Sequence, residues 1–456
     1  MEIEDGQKKE KNHHSFLAQL RKVTQDANVI LLVIDAARPD HLSCNGYFRP
    51  TTPFLDKIAA TGVNFKCAFT EFPGTRGSTA TLFTGYSPEV TSLFKIGSRL
   101  SPKFTTLAQL FKSKGFYTAG FIANGNVSAD FGFQKGFDYY SELHQKEEFS
   151  HTAQGFIPFL FPWLEKMKNK KFFLYLHFRE PHAPYIPPSP FKGMFSENYQ
   201  SKIDPNKDKK KINQGKIKID EQDLNYFIAR YDENLASVDS VIGQIIEKMK
   251  QLKIYQKTLL IVTSDHGESL SDHHHYFGHG IVLYDEGIRI PLIIHFPNDW
   301  LKGKTITSLV KNSDIFPTLA EIYELDIPNE FIDGKSFAPL LYNPDKEINS
   351  SIISRTHSSI NGYGYSLRTK KYKLIYWLYT WQPPHIEYYD LEKDPYEKVN
   401  LFNQGNVVQD FYLTELKKYI KKQRQKRKFL RISPRYIKLK DLDRKTLDNL
   451  KALGYI

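Results

Sequence analysis

Six aliphatic residues in unbroken succession, Val29-Ile30-Leu31-Leu32-Val33-Ile34, run straight into an aspartate, Asp35. A surface helix repeats its apolar residues every three or four positions and a half-exposed strand alternates, so this run suits a parallel strand buried on both faces. Open sheets of that kind take their ligands at the carboxyl ends of the strands, where Asp35 would stand. Similar runs recur at Tyr117 to Ala123, Phe172 to Phe178, Leu259 to Thr263 and Pro291 to Phe296. Between them, Thr106 to Lys114 and Gln222 to Lys253 carry apolar residues at helical spacing. The alternation predicts a doubly wound α/β domain over 28–345, with a mostly parallel central sheet flanked by helices.

At 456 residues the chain exceeds what one core usually serves. Residues 189–219 interrupt the pattern: they are polar and lysine-rich, with Asp208-Lys209-Lys210-Lys211 at the centre, and read as a solvated insertion or mobile loop. From about Ser350 the runs shorten, at Gly364 to Arg368, Tyr372 to Leu378 and Ile386 to Leu391, which predicts a smaller C-terminal α+β domain over 346–456 with an antiparallel sheet. Its segment Asp410 to Leu430 reads as a helix with lysine and arginine gathered late, where the dipole tolerates them. A solvated face and a docking surface for an acidic glycan, nucleic acid or membrane both fit that helix. The formal charge of +12 favours polyanions without naming one, so no specific nucleic-acid binding is expected.

Residues 1–27 read as a polar extension without the apolar core of a signal peptide, and no window approaches the roughly 20 apolar residues of a spanning helix. The expectation is a cytoplasmic protein without a membrane span. Cys44 and Cys67 stand in separate apolar segments and read as buried free thiols. Oligomeric state has no signature.

A second buried run, Leu259 to Thr263, delivers Ser264-Asp265-His266-Gly267-Glu268 to its end. A carboxylate and an imidazole there suit a divalent ion of intermediate hardness, or equally a hydrogen-bonded structural pair. Asp35, arriving from a remote strand at the same edge, supplies a third ligand and favours the ion. Between the two lies Phe72-Pro73-Gly74-Thr75-Arg76-Gly77-Ser78-Thr79, a turn leading into a helix. Hydroxyls at Thr75 and Ser78 face the free N–H groups of a helix start, which suits either a cap or an anion site with a nucleophile.

These segments together resemble the sulfatase family of the alkaline phosphatase superfamily. The likeness runs from Asp35-Ala36-Ala37-Arg38-Pro39-Asp40 and Pro50-Thr51-Thr52-Pro53 through Thr84-Gly85, Glu180-Pro181-His182, Asp265-His266-Gly267, Gly278-His279-Gly280, Asp314 to Thr318, Tyr389 to Pro395 and Leu450 to Ile456. It implies an alkaline-phosphatase-like fold and a metal-dependent hydrolase of sulfate or phosphate esters. It assigns Asp35, Asp265 and His266 as ligands of one divalent ion, with Ca²⁺ or Mn²⁺ expected ahead of Mg²⁺ or Zn²⁺. His182 becomes the general acid, while His279, Ser78 and Asn124 become substrate contacts. His177, inside a strand pattern, reads as a core residue or one behind the ligands. His273 to His275 read as a hydrated loop or an accessory metal contact.

Several positions depart from the family pattern. Ala36 replaces a customary second aspartate, and aligning the nucleophile signature on Thr84-Gly85 puts Thr75 at the nucleophile, Gly77 at a proline and Thr79 at an arginine. The formylglycine of sulfatases is made from Cys or Ser; threonine, with a methyl on its β-carbon, does not yield it. Thr75 therefore shifts weight towards phosphate esters and direct attack. The expected partner is an anionic ester, a glycan ester among the candidates. Two other readings stand beside this one: a transferase passing a phospho-linked headgroup to a glycan or lipid, and an inert binding protein with a basic helix.

Overall fold

The computed structural model describes residues 14–456 apart from 151, 274, 329–330, 359–361 and 454. The aliphatic run forms strand β1 (Asn28–Ile34), every residue of which is buried. Eight more strands join it: β2 (Val63–Phe69), β3 (Tyr117–Ile122), β4 (Tyr139–Glu142), β5 (Phe172–Phe178), β6 (Thr258–Thr263), β7 (Arg289–His295), β8 (Lys304–Ile306) and β9 (Val310–Lys311). Across the sheet they lie in the order β8, β2, β7, β6, β1, β5, β3, β4, with β9 also beside β2. Strand β7 runs against its neighbours β2 and β6, while the other pairings are parallel.

Because side chains alternate across a strand, β1 feeds two cores. Val29, Leu31 and Val33 pack with Phe173, Tyr175, Leu259 and Ile261 on one face. Ile30, Leu32 and Ile34 pack with Leu174, Leu176, Leu260 and Val262 on the other. Each such side chain contributes about 2 kcal/mol by burial, so a polar change on either face undermines the sheet. Helix α1 (Thr75–Thr84) follows β2, and the long α2 (Glu221–Gln251) starts at an Asp220 capping box. The latter lays Leu235, Val238, Ile242 and Ile245 on the second core.

A separate antiparallel sheet holds β10 (Ile352–Ser358), β11 (Gly362–Arg368), β12 (Tyr372–Leu378) and β13 (His385–Asp390) in chain order. On it rests α3 (Val407–Phe429), through Leu416 and Ile420 against Tyr365, Leu374 and Tyr388. The basic end of α3 is partly satisfied within the protein. Arg424 Nε lies 3.1 Å from Glu89 Oε1, Lys426 Nζ lies 2.5 Å from Asp333 Oδ1, and Arg427 donates to Ser92 Oγ at 2.7 Å. Helix α4 (Arg444–Ala452) then returns to the main sheet, where Asn449 Oδ1 accepts the Gly125 N–H at 2.9 Å.

Some segments differ from what the pattern suggested. The extension expected over 1–27 contains, in its described part, a helix over 14–24. Leu17 and Leu20, three apart, reach the first core from it. The insertion expected over 189–219 is not wholly solvated: it holds a helix, Pro205–Asn213, whose Ile212 is buried with Tyr185, Phe227 and Phe277. Cys44 and Cys67 are free but half-buried rather than buried. Among the described residues no helix is long and apolar enough to cross a membrane.

Candidate active site

The parallel ladder sets the geometry of the site's charged end. Val33 lies in register with Thr263 of β6 and His177 of β5, so Asp35, Asp265 and His266 emerge together just beyond the strands. Each is fully buried. Ala36 turns the chain away with φ of 60°, and its N–H binds Asp265 Oδ1 at 3.2 Å. The backbone thus serves the cluster where the family's second aspartate would stand.

Ligand atoms of Asp35, Asp265 and His266 all lie within 4.8 Å of one another. His266 Nε2 is 3.4 Å from Asp35 Oδ1 and 3.5 Å from Asp265 Oδ2. Its Nδ1–H is given to the Gly267 carbonyl at 2.8 Å, which leaves Nε2 to face the carboxylates. Asp35 Oδ1 and Asp265 Oδ2 have no hydrogen-bond partner although buried. Buried carboxylate oxygens left bare, beside an imidazole lone pair, are what a divalent cation requires. Burial and then Asp265 raise Asp35 well above the carboxylate range. Burial opposes ionisation of Asp265 as well, but His266 and His177 outweigh it and hold its value low. Burial also works against a charged His266, yet Asp265 and Asp35 prevail and raise it. Without a cation the cluster collects a proton in its place.

Asn124 stands against Asp35 at the edge of this cluster. Its Nδ2 donates to Asp35 Oδ2 at 2.5 Å and its Oδ1 accepts from Asn126 N at 2.9 Å. His177 is fully buried in β5, with Nε2 3.8 Å from both Asp35 and Asp265 and Nδ1 2.7 Å from the Tyr175 hydroxyl.

Thr75 opens α1, with Gly74 at the cap position and no side-chain cap. Its Oγ1 lies 3.2 Å from His266 Nε2, so the alcohol adjoins the cluster of Asp35, Asp265 and His266. The next residues explain the local glycine: a Cβ at Gly77 would come within 2.5 Å of the Phe72 ring, which packs against the first turn. Ser78, one turn on, is not brought to the cluster. Its Oγ lies 3.0 Å from Thr70 Oγ1 and accepts from Asn312 Nδ2 at 3.0 Å, inside the protein.

His182 and His279 face Thr75 from two loops. Their rings meet edge to face at 4.6 Å, and His279 stacks on His266 at 4.2 Å. Burial, then the neighbouring His279, pushes His182 down to about 3. Burial, then His266, likewise holds His279 well below its ordinary value. His182 gives its Nδ1–H to the Ala183 carbonyl at 2.6 Å, so Nε2 is an acceptor in the neutral ring. His279 Nδ1 lies 3.4 Å from Glu268 Oε1. Of the histidine run at 273–275, His274 lies outside the described residues; His273 is held by Glu286 Oε2 at 2.7 Å, away from Asp35 and Asp265.

Three contributors escaped the sequence pattern. Tyr455 places its hydroxyl 3.0 Å from Thr75 Oγ1, from a segment whose sequence carries the family likeness and no site role. Arg76 and Lys209 line a cavity of about 630 Å³ that opens beside Thr75, His279 and Tyr455. Its walls include Leu93, Phe94, Ile281 and Leu453, and none of its described lining residues is acidic. Arg76 donates to Asn126 Oδ1 at 2.7 Å and lies 3.7 Å over the Phe131 ring, with burial lowering it to about 10. Nothing in local periodicity marks such residues; only the tertiary fold joins 76, 209 and 455.

The family model described as Sulfatase matches residues 27–324, and the model for the N-sulphoglucosamine sulphohydrolase C-terminal region matches 272–426. An arylsulfatase of Clostridium perfringens is 26% identical over 443 residues, spanning 82% of this chain and 90% of its own length. An ulvan-active sulfatase of Formosa agariphila is 25% identical over 410 residues, spanning 83% and 77%. Among solved structures, the phosphonate monoester hydrolase of Agrobacterium radiobacter superposes with a TM-score of 0.73 at 19% identity, covering 87% of this chain and 96% of the other.

Proposed function

The chain belongs to the sulfatase family, with its alkaline-phosphatase-like α/β fold and ester hydrolase activity, and from that premise we propose that it hydrolyses sulfate or phosphate esters by direct attack of Thr75. The observation that carries the reading is the 3.2 Å approach of Thr75 Oγ1 to His266 Nε2, at a helix start beside two bare buried carboxylate oxygens. Asp35, Asp265 and His266 would hold one divalent ion, whose chemistry is to polarise ester oxygens and lower the proton affinity of the Thr75 hydroxyl. Ca²⁺ and Mn²⁺ suit two carboxylates and one imidazole.

The remaining steps belong to the side chains. Thr75 Oγ loses its proton to solvent and forms a bond to phosphorus or sulfur, while the bond to the leaving oxygen breaks. His182 starts neutral; the negative charge of a bound ester raises its proton affinity, and the Nε2 proton it gains passes to the leaving oxygen. The alcohol departs. His182, neutral again, takes a proton from the water that attacks the Thr75-bound group, and cleavage of the bond to Oγ restores the alkoxide. His279 Nε2 and the free N–H groups of the first turn of α1 hold non-bridging oxygens.

Thr75→Ala is expected to lower kcat for p-nitrophenyl phosphate and sulfate by at least about 10³-fold, while Mn²⁺ affinity by calorimetry stays within a few-fold. Turnover within tenfold of wild type moves the nucleophile elsewhere and ends this mechanism.

A further inference from the structure

The Tyr455 hydroxyl lies 3.0 Å from Thr75 Oγ1, 3.2 Å from His182 Nε2 and 3.1 Å from His279 Nε2. Those are the groups assigned above to attack, proton transfer and oxyanion contact. An atom under attack has to sit about 3–3.5 Å from its nucleophile, with its oxygens against the other two. One phenol oxygen already holds that position, and the atom under attack cannot share it. We propose that Tyr455 is an intramolecular competitor for the ester: its phenol occupies Thr75, His182 and His279, and every ligand of the site has to replace its hydrogen bonds. The inference rests on the role given to Thr75.

The segment is placed for this task. Asn449 of α4 is tied to Gly125, one residue beyond the Asn124 that binds Asp35. Tyr455 N donates to the Leu450 carbonyl at 3.0 Å, and Leu450 and Leu453 are buried beneath it. Its half-buried ring borders the cavity, which offers room for a displaced side chain. A sulfate or phosphate group brings several charged oxygens, and charge-assisted hydrogen bonds are roughly twice as strong as the phenol's neutral ones. A planar, neutral carboxylic ester brings a single weak acceptor and displaces the phenol less readily. Tyr455 thereby sets a threshold that every ligand has to clear, and a tetrahedral anion clears it most readily.

The test uses the full-length Mn²⁺-loaded protein and inorganic phosphate as probe. Tyr455→Phe keeps the ring and removes the competing oxygen. Phosphate binding by calorimetry is expected to tighten about tenfold and KM for p-nitrophenyl phosphate to fall about as much, with kcat within threefold. The kcat/KM for p-nitrophenyl acetate should rise by a similar factor, because the phenol obstructs every ligand of the site alike, and Tyr455→Ala should show the same directions. Phosphate affinity unchanged or weaker in Tyr455→Phe, in a variant that melts like wild type, overturns the competition. His279→Ala separates the two levels. If that variant weakens phosphate binding while Tyr455→Phe does not tighten it, the competition alone falls; if His279→Ala leaves it unchanged, the ion sits elsewhere and the reading of the site falls too.

Discussion

The two ends of the site are built by different means. Asp35, Asp265 and His266 follow the adjacent strands β1 and β6, locked by a parallel ladder and sealed from solvent. Thr75, His182, His279 and Tyr455 come instead from a helix start, two loops and the segment after α4, and all but His182 border an open cavity. The sheet can hold two carboxyl groups this close because moving either would mean slipping a whole strand. Loops carry no such penalty, so the end proposed to touch the ester is free to vary with the substrate.

The sharpest way to break this contrast is at the charged end. Asp35→Asn keeps the shape and removes one of two repelling carboxylates. Mn²⁺ affinity should fall by more than about 100-fold, the upper range for residues merely supporting a ligand. In chelator, however, the variant should melt at or above the wild type, because burial and Asp265 already disfavour an ionised Asp35. A lower melting temperature in chelator would make the carboxylates structural, and the division of labour would dissolve.

At the other end, His182→Gln is expected to lower kcat by about 10²–10⁴-fold, more for alkyl than for p-nitrophenyl leaving groups, with metal affinity unchanged. An equal loss of Mn²⁺ binding would mean that the two ends are one unit. The same variant has a pH signature. His182 is pushed down to about 3 in the fold, whereas an unfolded histidine titrates near 6.5. Between those values the unfolded chain binds a proton that the native ring does not. This contribution to stability is full above the unfolded value and is lost as pH falls from 6.5 towards 3. The drop in urea midpoint from pH 7 to pH 5 should therefore shrink in His182→Gln.

The same division explains what the sequence revealed. Strands β1, β5, β6 and β7 announce themselves because burial on both faces demands long apolar runs, and Asp35, Asp265 and His266 at the ends of β1 and β6 come with them. Strand β2 does not announce itself because Val63–Phe69 mixes Asn64 and Lys66 into its pattern, near the edge of the sheet where such residues are tolerated. The helix inside 189–219 hid among lysines, since it buries little beyond Ile212. Tyr455 was illegible for another reason: 380 residues separate it from Thr75, and no periodicity spans that gap.

Ser78 offers the smallest and most local test. Sequence places it one turn beyond Thr75 and makes it a second hydroxyl for the ester, whereas the fold bonds it to Thr70 and Asn312. The side chain that opens α1 faces the site, and the one a turn deeper belongs to the packing beneath it. Ser78→Ala should cost about 1 kcal/mol in urea unfolding, the usual net worth of a buried neutral hydrogen bond. The cost stays small because Asn312 Nδ2 keeps the Ser78 carbonyl at 3.1 Å and Thr81 Oγ1 at 2.7 Å as acceptors. Steady-state kcat/KM should remain within twofold of wild type. A collapse of kcat/KM in a protein that unfolds normally would carry the reactive end one turn down α1, and Ser78 would then share the ester with Thr75.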